Sequence, residues 1–86
     1  MSRSAIMNER RHVAGAAVQV ATARADLAAL GLANVPRHLL RTAEARLGYP
    51  NDSLTQLGVR LGMTKNAVAG RLRRLHELAQ RKAGTS

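Results

Sequence analysis

The 86-residue chain contains no cysteine, tryptophan or phenylalanine, and Tyr49 is its single aromatic residue. Without cysteine there is no disulfide framework and no thiolate metal cluster. The three histidines, His12, His38 and His76, are far apart and show no spacing to an acidic partner, so the sequence predicts no metal site, no cofactor and no enzymatic activity. No stretch approaches the roughly 20 apolar residues that a membrane span requires. A chain of this length holds one small domain.

Positive charge dominates the residues that are present. The chain has 14 Lys and Arg against 5 Asp and Glu, which gives a formal net charge of +9. Residues 37–86 carry ten of the cations and three of the acids, a net charge of +7, whereas residues 1–36 carry +2. Strong basic charge without a membrane segment points first to nucleic acid. We therefore expect a cytoplasmic, nucleoid-associated protein.

Apolar residues recur with helical spacing, which argues against disorder and predicts an all-α domain of about four helices. Residues 5–30 are predicted to form one long alanine-rich helix, capped by Asn8 or Ser4 and ended by Gly31. Its apolar stripe repeats every seven positions at Ile6, Val13, Val20 and Leu27. The neighbouring positions of the same stripe are filled by Ala16, Ala17, Ala23 and Leu30. We interpret the stripe as packing on the rest of the domain, with a self-association seam as the alternative.

Three further helices are predicted after a tight connection at residues 32–36. One runs over residues 36–47, with an inner face made of Leu39, Leu40, Ala43 and Leu47. The next begins at Ser53, which forms a capping box with Gln56, and ends at Gly62. The last follows a Thr64 cap and ends at about Arg81. The predicted organisation is an N-terminal helix (1–31), a DNA-binding domain (32–82) and a flexible tail (83–86).

Residues 53–75 are typical of a helix-turn-helix. Gly58 is small where the two helices touch, Gly62 lets the chain turn with a positive φ, and Met63 is predicted to plug the turn into the core. The inner side of the second helix is predicted to bury Val68, Leu72 and Leu75.

The opposite face of that second helix is basic, with two small residues at its centre. Because a glycine inside a helix costs about 1 kcal/mol relative to alanine, Gly70 is interpreted as permitting close approach to DNA, with close packing on another helix as the alternative. Asn66 and Arg73 are predicted to reach base edges, and the flanking cations to meet phosphates. The predicted DNA-binding residues are Thr64, Lys65, Asn66, Ala69, Gly70, Arg71, Arg73 and Arg74.

The run Met-Thr-Lys-Asn-Ala-Val-Ala-Gly-Arg-Leu-Arg-Arg-Leu at residues 63–75, with Asp-Ser-Leu-Thr-Gln-Leu-Gly at 52–58, resembles the C-terminal helix-turn-helix domain of the WhiA family. This family regulates sporulation and cell division in actinobacteria and other Gram-positive bacteria. The resemblance covers residues 36–83, and the motif is also similar to LuxR-type and sigma-factor region 4 motifs. It implies a sequence-specific transcription factor that binds double-stranded DNA through the residues just named. It also implies contact with RNA polymerase holoenzyme or with a WhiB-like iron–sulfur protein.

The chain differs from the family in two respects. It lacks the N-terminal domain that resembles LAGLIDADG homing endonucleases, so we expect a fragment, an excised domain or a stand-alone short relative. The turn at residues 61–64 is also shorter than the family's proline-containing loop. The alternative function is a protein-interaction module that docks on RNA polymerase, a sigma factor or a WhiB-like partner. RNA binding is less favoured, because single-strand recognition relies on aromatic stacking. The oligomeric state stays open.

Overall fold

A computed structural model describes the backbone of residues 3–85 and the side chains of residues 15–84. This part of the chain forms four α-helices, α1 (Arg3–Leu30), α2 (Arg37–Gly48), α3 (Leu54–Leu61) and α4 (Lys65–Thr85), with a short 3-10 turn at Leu32–Asn34. It contains no β-strand, so the prediction of an all-α fold is confirmed. None of its helices has the length and apolarity needed to cross a membrane.

The long first helix extends further towards the N-terminus than predicted. It begins at Arg3, so Ser4 and Asn8 lie inside α1 and neither caps it. The alanine-rich sequence contains no proline to stop the helix earlier. The predicted end is confirmed, because Gly31 adopts a φ of 80° that only glycine accepts readily, and its N–H donates to the Leu27 carbonyl at 2.9 Å.

Among the described side chains of the apolar stripe of α1, those in its C-terminal part are buried in the domain. The buried members are Ala23, Leu27 and Leu30. The remaining described members are half-buried or exposed: Ala16, Ala17 and Val20. Ile6 and Val13 lie outside the residues whose side chains are described. Packing of the stripe against the domain is therefore confirmed for Ala23, Leu27 and Leu30. The described members nearer the N-terminus are not buried in this way.

Helices α1, α2 and α4 converge on one apolar core. Its buried members are Ala23, Leu27, Leu30, Val35, Leu39, Ala43, Leu75 and Ala79. Leu40 and Leu47, two of the predicted inner residues of α2, are partly buried against it. Because fully burying one leucine side chain contributes about 1.5–3 kcal/mol, this shared core makes α1 part of the same folding unit as the helix-turn-helix.

The last helix continues past its predicted end at Arg81. It reaches Thr85, so the segment predicted as a flexible tail is helical as far as that residue. The Lys82 ammonium donates to the Leu30 carbonyl at 3.1 Å, at the C-terminal end of α1. A cation at a helix C-terminus satisfies an orphan carbonyl and meets the negative end of the helix dipole. This contact ties the last turns of α4 to α1.

A buried arginine holds the connection between α2 and α3. Arg46 is 1% exposed, and it donates to the side-chain carbonyl of Gln19 on α1 at 2.9 Å. Its other terminal nitrogen donates to the backbone carbonyls of Tyr49 at 2.9 Å and Asp52 at 2.5 Å. Burial lowers the pKa of the Arg46 guanidinium, and the Asp52 carboxylate opposes that shift. The segment leading into α3 is thus fixed to both α1 and α2.

The same connection is also anchored from α3. The Arg60 Nε donates to the Asp52 carboxylate at 2.6 Å, and the Arg60 guanidinium lies 3.5 Å from the centre of the Tyr49 ring. The hydrogen bond to Asp52 raises the pKa of Arg60. The chain's single aromatic residue therefore stacks on an arginine, which is consistent with a structural role for it.

Candidate nucleic-acid interface

The first helix of the motif has the ends that were predicted. The Ser53 hydroxyl accepts from the Gln56 N–H at 3.1 Å, and the Ser53 N–H donates to the Gln56 side-chain carbonyl at 2.7 Å, which completes the capping box. At the other end Gly62 has a φ of 70° and a ψ of 35°, the left-handed conformation predicted for the turn. Both ends of α3 are thus determined by residues next to it in the sequence.

Gly58 sets how closely the turn packs on α3. Its carbonyl accepts from the Met63 N–H at 2.8 Å. A Cβ at this position would overlap the Met63 carbonyl oxygen and would lie 3.3 Å from the Thr64 carbonyl carbon. The prediction that Gly58 is small where the two helices meet is confirmed. A larger residue at this position would collide with the backbone of the turn.

The second helix of the motif starts at its predicted cap, but its inner side is narrower than predicted. The Thr64 hydroxyl accepts from the Ala67 N–H at 3.1 Å. Val68 and Leu75 are fully buried, whereas Leu72 and Met63 are only half-buried, so neither of these two is a core residue. Leu72 lies about 40° around the helix from Val68, at the edge of the core-facing side. Ala79 continues the buried row one turn further.

None of the predicted DNA-binding residues is buried in the core. The exposed ones are Thr64, Lys65, Asn66, Arg73 and Arg74. The half-buried ones are Ala69, Gly70 and Arg71. Together they cover the cap and the first three turns of α4, opposite or beside the row that faces the core. At about 100° per residue, Asn66, Gly70 and Arg73 lie opposite the buried row. Lys65 and Arg71 lie on its two flanks, so the predicted residues share one helix and surround the sides of it that do not face the core.

Gly70 distinguishes the two interpretations made from the sequence. A Cβ at this position would have no non-neighbouring atom within 4 Å. No other described helix packs on it, so the interpretation that Gly70 permits close helix packing is wrong. The cost of a glycine inside the helix is not offset by any contact within the described chain. Close approach to DNA at Gly70 stays a prediction from the sequence.

Little negative charge offsets the cations of this face. Arg73 lies 3.7 Å from Glu77, with side-chain exposures of 77% and 47%, and an exposed pair at this spacing contributes about 0.3–0.5 kcal/mol. Among the described side chains, no carboxylate lies within salt-bridge distance of Lys65, Arg71 or Arg74. The outer face of α4 therefore keeps most of its positive charge available for a polyanion.

One contact beside this face was missed at the sequence level. The His76 Nδ1 lies 3.0 Å and 3.2 Å from the two carboxylate oxygens of Asp26, which is 4% exposed. The expectation that the histidines lack an acidic partner is therefore wrong for His76. The two residues are 50 positions apart, so no local pattern could reveal the pair. No group of three potential metal ligands occurs among the described residues. The contact holds α4 against α1.

Comparison with known proteins places these observations in a family. The model of the WhiA C-terminal helix-turn-helix domain matches residues 3–79. A probable cell division protein WhiA from Mycobacterium leprae strain Br4923 is 46% identical over 79 residues, which is 88% of this chain and 24% of the relative. Probable cell division proteins WhiA from Mycobacterium tuberculosis strain H37Ra and Acidothermus cellulolyticus are 43% and 38% identical over 79 and 78 residues, with the same coverage.

The chain spans about a quarter of the length of these curated relatives. The family model also extends the match into α1, which the resemblance noted from the sequence did not reach. Comparison with the solved structures gave no significant match. The family model covers most of the chain and the M. leprae relative is similar over nearly nine-tenths of it, so the chain belongs to the WhiA family, through its C-terminal helix-turn-helix domain.

Proposed function

We propose that this chain binds double-stranded DNA with sequence preference and acts in transcriptional regulation, without catalysing a reaction. The observation that carries the proposal is the open outer face of α4. A Cβ at Gly70 would meet open space, and no described carboxylate lies within salt-bridge distance of Lys65, Arg71 or Arg74. A helix with a small, open centre and long basic side chains at its edges fits the major groove, which admits one α-helix.

The roles of the individual residues follow from their positions around α4. Asn66 and Arg73 are exposed on the side opposite the core and would reach base edges, Arg73 with a bidentate contact to guanine. Lys65, Arg71 and Arg74 lie towards the flanks and would contact phosphates. Thr64 would position the start of the helix, and Ala69 with Gly70 would allow its backbone to approach the groove. Each of these roles is a proposal.

The family supports the regulatory part of the proposal. The relatives carry the name "probable cell division protein", and the region they share with this chain is the helix-turn-helix. The chain spans only a quarter of those relatives, so their name alone does not establish its role. We propose that it acts in cell division or sporulation. We propose that it acts on chromosomal DNA in the cytoplasm.

Selection of bound sequences from a random duplex pool tests the proposal. The whole chain is used, the enriched sequence is identified, and its affinity is compared with that of a scrambled duplex of equal length at about 150 mM salt. We expect the preferred duplex to bind at least about a thousandfold more tightly, as specific DNA-binding proteins do. Equal affinity for both duplexes would refute sequence preference.

The alternative is that the basic face docks on an acidic protein surface, on RNA polymerase holoenzyme or on a WhiB-like iron–sulfur protein. Val59, on the first helix of the motif, is 79% exposed next to Arg60, and a protein partner could cover it. The same titrations discriminate the two. A chain that binds no duplex at about 150 mM salt, yet retains binding to such a partner, favours docking over DNA binding.

A further inference from the structure

His76 lies on a flank of α4, beside the side that is proposed to face DNA. At about 100° per residue, it is about 20° around the helix from Lys65 and about 60° from Arg73. Its side chain is 47% exposed, although its Nδ1 lies against the buried carboxylate of Asp26. The exposed part of the ring is therefore the part that carries Nε2, and no described residue hydrogen-bonds to that nitrogen.

Asp26 determines which nitrogen of the ring is left for a ligand. Its carboxylate is 4% exposed, and its two oxygens lie 3.0 Å and 3.2 Å from the His76 Nδ1. An ionised carboxylate only accepts hydrogen bonds, so Nδ1 carries the hydrogen and donates it to Asp26. In the neutral ring Nε2 is then an acceptor, and it becomes a donor only when the ring is protonated.

We propose that His76, in its protonated form and oriented by Asp26, is a further contact to a DNA phosphate, so that DNA binding is tighter when this ring is protonated. The inference rests on the proposed DNA binding by α4, and it adds to that function one residue and a dependence on pH. A phosphate oxygen only accepts hydrogen bonds, so it matches the Nε2–H of the imidazolium and not the lone pair of the neutral ring.

The net charge of the pair acts in the same direction. With a neutral ring, Asp26 and His76 together carry one negative charge on the flank of the helix that would face DNA. With a protonated ring they carry none. Because like charges repel, phosphates disfavour the first form. DNA and the proton therefore each favour binding of the other, and the affinity for DNA should rise as the pH falls.

The charged groups nearest to His76 on α4 are Arg73, one turn before it, and Glu77, the next residue. These two side chains pair with each other at 3.7 Å. The described side chains of α1 include two charged ones, Asp26 and Arg24, and Arg24 lies about 160° around α1 from Asp26. On these two helices Asp26 is therefore the charge in direct contact with the ring.

The charged groups of α2 and α3 lie on other sides or have partners of their own. The exposed ones of α2 lie about 100° or more around that helix from the core residue Leu39: Arg37, His38, Arg41 and Glu44. The other two cations are bound at the α2–α3 connection: Arg46 and Arg60. No carboxylate of these helices or their connection is within salt-bridge distance of His76.

Titration of a labelled duplex with the whole chain, at about pH 5.5 and at about pH 8, tests the inference, because imidazole exchanges its proton in this range. We expect the wild type to bind about tenfold more tightly at the lower pH. The slope of log affinity against log salt should also be more negative by about 0.9 at the lower pH, as one additional phosphate contact requires. A purely structural role for His76 would not change that slope.

Three variants separate the contact from other effects of pH. His76→Gln can still donate to Asp26 but carries no charge, so both the gain in affinity and the change in slope should disappear. His38→Gln is the matched control, because it makes the same change at an exposed histidine of α2 and should retain both. His76→Lys has a fixed charge and should bind at about pH 8 as tightly as the wild type binds at about pH 5.5.

The charge of the pair is tested separately. Asp26→Asn removes its negative charge and should raise the affinity at about pH 8 by a few-fold. An unchanged affinity would contradict the charge argument. Thermal unfolding of every variant at both pH values establishes that the variants compared are folded.

Equal effects of His76→Gln and His38→Gln on the pH dependence would overturn the inference. A wild-type affinity and salt slope that do not change with pH would also overturn it, and in both cases DNA binding itself would stand. A chain that binds no duplex at either pH would instead refute the proposed DNA binding, and the inference with it.

Discussion

Replacing Gly70 with alanine should move folding stability and DNA affinity in opposite directions. The backbone at Gly70 is helical, and the new Cβ would meet no atom within 4 Å. The substitution should therefore recover most of the helix cost of glycine, about 0.8–1 kcal/mol. For a domain of this size, that gain raises the melting temperature by roughly 4–8 °C.

The same methyl group should weaken DNA binding. If the backbone of α4 lies against the base edges at Gly70, an added Cβ holds the helix away from them. We expect an affinity loss of about tenfold for the preferred duplex, which corresponds to about 1.4 kcal/mol. A folding defect cannot produce this result, because the variant is expected to be more stable than the wild type.

The assays are thermal unfolding followed by circular dichroism and titration of a labelled duplex followed by fluorescence anisotropy. Gly15→Ala on α1 and Gly84→Ala near the end of α4 are matched controls, since a Cβ at either position also meets open space. Both controls should leave DNA affinity unchanged, and Gly15→Ala, in a helix interior, should raise stability. If Gly70→Ala binds the preferred duplex as tightly as the wild type does, the glycine does not serve approach to DNA.

Further outcomes are expected at other positions. Gly58→Ala should lower the free energy of unfolding by about 1–3 kcal/mol in a denaturant titration, because its Cβ would collide with the backbone of the turn. His76→Ala should lower it by about 1–3 kcal/mol in the same assay, because it removes a hydrogen-bond partner from the buried carboxylate of Asp26; an unchanged midpoint would show that the contact is not stabilising. The logarithm of DNA affinity should fall with the logarithm of salt concentration with a slope of about −3 to −6, if about 4–6 phosphates are neutralised, and a flat dependence would exclude phosphate contacts. Arg73→Ala should weaken binding to the preferred duplex more than to a scrambled one, whereas Arg74→Ala should weaken both by similar factors.

Features that depend on three or four neighbouring residues were predictable from the sequence. The capping box of Ser53, the left-handed turn at Gly62 and the Thr64 cap are all local hydrogen-bonding or backbone preferences, and the structure has each of them. The candidate site was predictable for the same reason, because it lies on a single helix whose inner side is marked by Val68 and Leu75. DNA binding by this face stays a prediction.

Features that depend on distant residues were not predictable. Nothing in the sequence distinguishes Arg46 from an ordinary surface cation. It is buried because it contacts Gln19, 27 positions away, and the α2–α3 connection. The extension of α4 to Thr85 accompanies the contact from Lys82 to the end of α1, which no local signal marks. The described part of the α1 stripe is buried at its C-terminal end and more exposed before it, and this difference also depends on distant residues. A periodic pattern identifies one face of a helix, but it does not show how much of that face other helices cover.

The pairing of Arg73 with Glu77 bears directly on the proposed base contact, because Glu77 competes with DNA for the same guanidinium. The pair is 3.7 Å apart and both side chains are largely solvated, so its contribution is at most about 0.5 kcal/mol. A bidentate contact from arginine to guanine discriminates by about 1–3 kcal/mol, which exceeds the cost of releasing Glu77. Removing the competitor with Glu77→Gln should therefore raise affinity for both preferred and scrambled duplexes by a few-fold, through reduced repulsion of the phosphates, without reducing the preference between them. A loss of that preference would mean that Glu77 orients Arg73 for base reading rather than merely neutralising it.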